Sequence, residues 1–138
     1  MTLAGRCHCG NLAVRLETRV APERLPLRAC ACSFCRKHGA RVTSDPDGCI
    51  EIAVREPEAA VRYRFGLRTA DFLVCGRCGV YVAAVLTEGG ASWATVNVNV
   101  LHEAERFVKE PEPVSYEGES ESQRRARRRA KWTPAVVD

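Results

Sequence analysis

Cys75-Gly76-Arg77-Cys78-Gly79 is enclosed by two apolar runs, Ala70 to Val74 before it and Val80 to Leu86 after it. Two cysteines two residues apart in a turn between strands form a metal knuckle, and the glycines let backbone N–H groups point at the sulfurs. A knuckle supplies half of a tetrahedral site. The other half is expected from Cys7-His8-Cys9-Gly10, which stands just before another strand-like run. Joining the two closes a loop of roughly 65 residues, so a metal here acts as a long-range staple. Cys7, Cys9, Cys75 and Cys78 are therefore the expected ligands of a closed structural zinc.

A further cluster, Cys30-Ala31-Cys32-Ser33-Phe34-Cys35, offers three thiols from one short segment. Three protein ligands leave a position for water or substrate, as catalytic zinc sites do. Cys30, Cys32 and Cys35 are thus expected to hold a second, catalytic zinc at which an incoming thiol is stabilised as its thiolate. The alternative is a closed site completed by Cys49 or a histidine. Cys49 itself reads as a core residue. The cysteine spacings also suit rubredoxin-type iron sites.

The rest of the chain reads as mainly β. Leu12, Val14 and Leu16 alternate with Ala13, Arg15 and Glu17. Asp45-Pro46-Asp47-Gly48 is a turn, and Ile50, Ile52 and Val54 alternate after it. Val61 to Phe65 alternates again, and Val80 to Leu86 is a nearly continuous apolar strand. From Trp93 the pattern puts Trp93, Thr95, Asn97 and Asn99 on one face and Ala94, Val96, Val98 and Val100 on the other. Helix is scarce: one turn is expected from Cys32 through Lys37 and a short helix from Leu101 to Phe107. Glu110-Pro111-Glu112-Pro113 reads as a linker. Glu119 to Lys131 has helical character but little apolar face. The expected organisation is a zinc-binding domain over residues 1–110 and a C-terminal extension over residues 111–138.

The 138 residues, 46% hydrophobic and 28% charged, suit one folded domain. The net charge of +4 comes largely from Arg124 to Lys131; without its six basic residues the chain is slightly acidic. That run reads as a solvated helix balanced by Glu117, Glu119 and Glu121, so a nucleic-acid partner is not expected. No segment approaches the ~20 apolar residues of a membrane span. No signal-peptide pattern opens the chain, so the expectation is a reducing cytoplasm, where clustered cysteines bind metal rather than form disulfides.

Among other polar residues, His8 should point away from the metal its neighbours share. His102 reads as a surface residue. Arg36, Lys37 and His38 directly follow the middle cluster and are candidate substrate-binding residues for a carboxylate-bearing ligand. Arg77 brings positive charge to the knuckle.

The order Gly5-Arg6-Cys7-His8-Cys9-Gly10, then Cys30-Ala31-Cys32-Ser33-Phe34-Cys35-Arg36-Lys37, then Cys75-Gly76-Arg77-Cys78-Gly79 resembles the glutathione-dependent formaldehyde-activating enzyme family, which includes centromere protein V. The segment Arg124 to Arg128 with Trp132-Thr133-Pro134 resembles the tail of bacterial members. The resemblance spans residues 3–134 and implies an antiparallel β-tent fold pinned by zinc. It implies a structural zinc on Cys7, Cys9, Cys75 and Cys78 and a catalytic zinc on Cys30, Cys32 and Cys35. It also implies glutathione as co-substrate, formaldehyde as partner and carbon–sulfur lyase chemistry of the S-(hydroxymethyl)glutathione synthase type. This chain departs from many members in having Ala31 where they have histidine. Its compactness suggests little room for a dedicated glutathione pocket. A non-catalytic zinc-binding interaction or nucleic-acid-binding module is the alternative reading.

Overall fold

The computed structural model describes residues 1–138. Its scaffold is one 11-stranded mixed sheet that forks. Strand β1 (Thr2–Arg6) pairs antiparallel with β2 (Leu12–Glu17), which pairs antiparallel with β5 (Cys49–Val54). The alternation of β2 is realised: Leu12, Val14 and Leu16 are fully buried. Next in order come β11 (Thr133–Val137) and β9 (Ala91–Asn97). One edge of β9 is shared by two strands placed end to end. Its Ser92–Ala94 segment pairs with β11, and Val96–Asn97 pairs with β4 (Val42–Thr43). Strands β3 (Arg28–Cys30) and β10 (Glu112–Val114) continue that branch. The other edge of β9 carries β8 (Tyr81–Glu88), then β7 (Asp71–Cys75), then β6 (Ala60–Tyr63).

Two pairings correct the expectation of an antiparallel sheet: β10 runs parallel to β3, and β11 parallel to β5. The linker reading of Glu110 to Pro113 is corrected with them. The ladder bonds run through the Glu112 N–H, which donates to Leu27, and the Val114 carbonyl, which accepts from Ala31. Pro113 falls between these positions, so its missing N–H interrupts nothing on this edge strand. Thr95 and Asn97 are buried, with the Thr95 hydroxyl donating to the Thr43 carbonyl and the Asn97 amide to the Tyr81 carbonyl. These short polar side chains tie β9 to its edge neighbours β4 and β8.

The helices are α1 (Ser33–His38) and α2 (Glu121–Lys131), with three 3-10 turns. In place of the short helix expected from Leu101 to Phe107 there is one such turn at Ala104–Arg106. Helix α2 is opened by a capping box between Ser120 and Gln123. No helix is long and apolar enough to cross a membrane.

Strand β8 separates two apolar clusters. Val82, Ala83 and Val85 join the main core with Leu12, Leu16, Ile50 and Ile52. Tyr81, Ala84 and Leu86 face a smaller cluster with Phe72, Trp132 and Cys35. The smaller cluster is where α1, α2 and the middle cysteines meet.

Candidate metal centres and active site

The first and third cysteine clusters meet. Strand β1 ends at Arg6 and β7 ends at Cys75, so both turns open at the same side of the sheet. The sulfurs of Cys7, Cys9, Cys75 and Cys78 all lie within 4.8 Å of one another. Cys9 Sγ is 3.8 Å from Cys7 Sγ and 3.5 Å from Cys75 Sγ. These are close to the ~3.8 Å edge of a tetrahedron with metal–sulfur bonds of ~2.3 Å. Backbone N–H groups face the sulfurs as the knuckle reading requires: Leu12 N–H to Cys7 Sγ and Cys78 N–H to Cys75 Sγ. Gly10 and Gly79 take left-handed φ of 87° and 79°. All eight cysteines are free thiols. The donor set, four sulfurs at tetrahedral spacing, fits a closed thiolate metal site.

Cys30, Cys32 and Cys35 also gather, with sulfurs within 4.8 Å of one another. Cys30 ends β3, Cys32 caps α1 and Cys35 lies in its first turn. The Cys35 N–H donates to Cys32 Sγ at 3.4 Å. Contacts from Cys30 and then Cys35 push the Cys32 thiol well below its ordinary range, while contacts with Cys30 and then Cys32 push Cys35 up. One sulfur of the trio is thereby favoured as thiolate. Three sulfurs with no fourth protein donor fit a metal with an open position. Cys49 belongs to neither group; it is half-buried at the start of β5 opposite Glu17, not in the core.

The three thiols open on a cavity of about 390 Å³, within the range of small-molecule sites. The chain's compactness therefore does not preclude a pocket. Phe65, Phe72, Tyr81 and Trp132 form its apolar wall. Tyr81 packs edge-on against Phe34 at 4.9 Å between centroids. Burial first, and then the nearby Cys35 thiol, hold its phenol well above its ordinary pKa. The lining also carries Arg28, Arg124, Arg127 and Arg128.

The candidate substrate residues Arg36, Lys37 and His38 are exposed on α1, outside the cavity lining. His38 packs against Phe34 with ring centroids 4.5 Å apart and the rings tilted by 44°. His8 and His102 are exposed, and Arg77 pairs with Glu56. The reading of Arg124 to Lys131 as a solvated helix balanced by Glu117, Glu119 and Glu121 holds for Glu119 and for Glu121, which pairs with Arg125, and is corrected at Arg128, which is buried. Glu119 holds Arg124 and Arg127, Glu88 holds Arg125 and Arg129, and Arg128 is buried. Sequence reasoning missed the cavity's arginines; the one available signal was Trp132, an aromatic at the end of a basic run.

The model of the glutathione-dependent formaldehyde-activating enzyme family matches residues 2–117. No curated protein matches the chain. The chain is similar to a Rhodobacter sphaeroides protein of known crystal structure, with a TM-score of 0.59 and 30% identity over 80% of this chain and 99% of that one. With the three cysteine clusters and most of the sheet inside the matched span, the chain belongs to the glutathione-dependent formaldehyde-activating enzyme family.

Proposed function

We propose that this protein is a zinc-dependent enzyme of carbon–sulfur chemistry that interconverts a small thiol plus an aldehyde with their S-hydroxymethyl-type adduct, glutathione and formaldehyde being the pair. The observation that carries this reading is the position of the three-thiol cluster on the wall of a substrate-sized cavity. In this reading Cys7, Cys9, Cys75 and Cys78 hold a structural zinc, and Cys30, Cys32 and Cys35 hold a catalytic one. Zinc at the three-thiol site supplies a Lewis acid that keeps an entering thiol deprotonated near neutral pH.

The protein's own residues do the rest. The α1 cap fixes Cys32 and Cys35 relative to each other. The wall of Phe65, Phe72 and Trp132 limits water around the reacting sulfur. The Tyr81 phenol, held neutral by burial, lines the same space as a hydrogen-bond donor for a carbonyl oxygen. In the forward direction the sulfur–carbon bond forms as the carbonyl π bond breaks, and the oxygen takes up the proton lost by the thiol. The reverse is the lyase step.

The test is exchange NMR with ¹³C-formaldehyde and glutathione. Zinc-loaded protein should raise the exchange rate between free and adducted formaldehyde above the spontaneous rate, and Cys32→Ala should abolish the gain. Equal rates with and without wild-type protein would overturn the assignment.

A further inference from the structure

Helix α2 lies beyond the span matched by the family model, yet it closes the cavity. Four of its five arginines have a carboxylate: Glu119 takes Arg124 and Arg127, and Glu88 takes Arg125 and Arg129. Arg128 has none and is the most buried, at 7% exposure. Its guanidinium donates to Thr69 Oγ1 at 2.6 Å and stands 4.8 Å from the Trp132 ring, and its Nε is buried with no partner. Arg28, on β3 and also lining the cavity, makes no ion pair, although Glu112 stands opposite it in the β3–β10 register; it donates to Ser44 Oγ at 2.6 Å. Burial pushes Arg128 down to about 10, which leaves it charged at neutral pH, and burial also lowers Arg28.

Buried guanidinium charge without a counter-charge is costly and is retained where a ligand completes it. The three thiols are one source of negative charge: three thiolates around a dication would leave one negative charge against two guanidinium groups that make no ion pair. Among the residues lining it, the one carboxylate is Glu117, which is exposed.

We infer that Arg128 and Arg28 form an oxyanion subsite that seats a carboxylate of the thiol substrate, so that α2 selects acidic thiols. This rests on the thiol reading above for the nature of the ligand, but the subsite itself stands on the two unpaired arginines. A planar carboxylate suits the guanidinium fork, and the apolar wall beside it takes the substrate's stem.

The experiment is calorimetric titration of zinc-loaded protein with S-methylglutathione, whose blocked sulfur cannot react, and with its diamide, which lacks both carboxylates. Wild type should bind the acid roughly tenfold to a hundredfold more tightly than the diamide. Arg28→Gln should remove that preference while leaving diamide affinity and the unfolding midpoint nearly unchanged. Arg128→Lys should keep part of it. Because Arg128→Gln risks unfolding the chain, the acid–amide comparison is made on wild type: where both ligands bind, equal affinities overturn the subsite. Inorganic phosphate is the control ligand. If phosphate binds in an Arg28-dependent way and S-methylglutathione does not, the oxyanion subsite stands and the glutathione reading fails. If neither binds, the subsite is overturned.

Discussion

The Cys9 and Cys75 sulfurs stand 3.5 Å apart although 66 residues of chain separate them. Between them lie β2 to β7, so whatever joins these sulfurs fixes the ends of half the sheet. In the chain-entropy picture, closing such a loop contributes on the order of 4 kcal/mol.

Cys78→Ser is therefore expected to cost at least about 3 kcal/mol, roughly 10 °C or more in the unfolding midpoint, or to make the chain insoluble. Cys78 is only partly buried, so lost packing is a small part of this. Cys35→Ala removes a buried but small side chain from the smaller core and should cost about 1 kcal/mol. Thermal unfolding of both variants checks the division. Equal losses would show that the two clusters do not differ as structural and catalytic sites.

Metal content tests the same division by stoichiometry. Elemental analysis should find two zincs per wild-type chain and one in Cys32→Ala, with the remaining zinc resistant to mild chelation. One zinc in both proteins would mean that the three-thiol cluster does not retain metal, and would favour a non-catalytic binding module.

The strands and the cysteine clusters were legible because their signals are local. Leu12, Val14 and Leu16 announce a buried face within five residues, and each knuckle announces itself by spacing. The cavity was not legible, because its walls are joined by distant pairings. Arg128 looks like its four arginine neighbours in sequence, and what distinguishes it is Thr69, 59 residues away. Strand β11 is short, carries a proline and is half exposed, and only its position between β5 and β9 makes it interior. Arg36, Lys37 and His38 drew attention by adjacency to Cys35, but a helix of one and a half turns carries them outside the cavity lining.

Acid should loosen the segment that carries α2. Hydrogen bonds from Arg127, then the charges of Arg127 and Arg124, hold the Glu119 carboxyl below its ordinary value of 4.5. A carboxyl with a lowered folded pKa contributes stability that is fully present above the unfolded value and is lost as pH falls through the folded one. The difference in midpoint between wild type and Glu119→Gln should thus be constant above about pH 5.5 and should shrink below about pH 4.5. Taking the difference cancels acid loss of metal, which both proteins share. A difference that stayed constant down to pH 3 would contradict the pairing.

The arginine run of α2 bears on the alternative of a nucleic-acid-binding module. Deleting residues 119–138 is not a clean test, because it also removes β11 from the sheet. The ion pairs supply a better one. With Arg124 and Arg127 on Glu119, Arg125 and Arg129 on Glu88, and Arg128 buried, only Lys131 in the run is both exposed and without a carboxylate partner. A phosphate backbone approaching this face meets Glu88 and Glu119 beside every accessible guanidinium. Wild type should therefore show no retention of a 20-base-pair duplex at about 150 mM salt. Glu88→Gln should free Arg125 and Arg129, raise affinity at low salt, and steepen the dependence of log K on log salt by up to about 2, at roughly 0.9 per phosphate contacted. Fluorescence anisotropy across a salt series reads both quantities. Sub-micromolar wild-type binding at 150 mM salt would instead give the nucleic-acid module the stronger claim on α2.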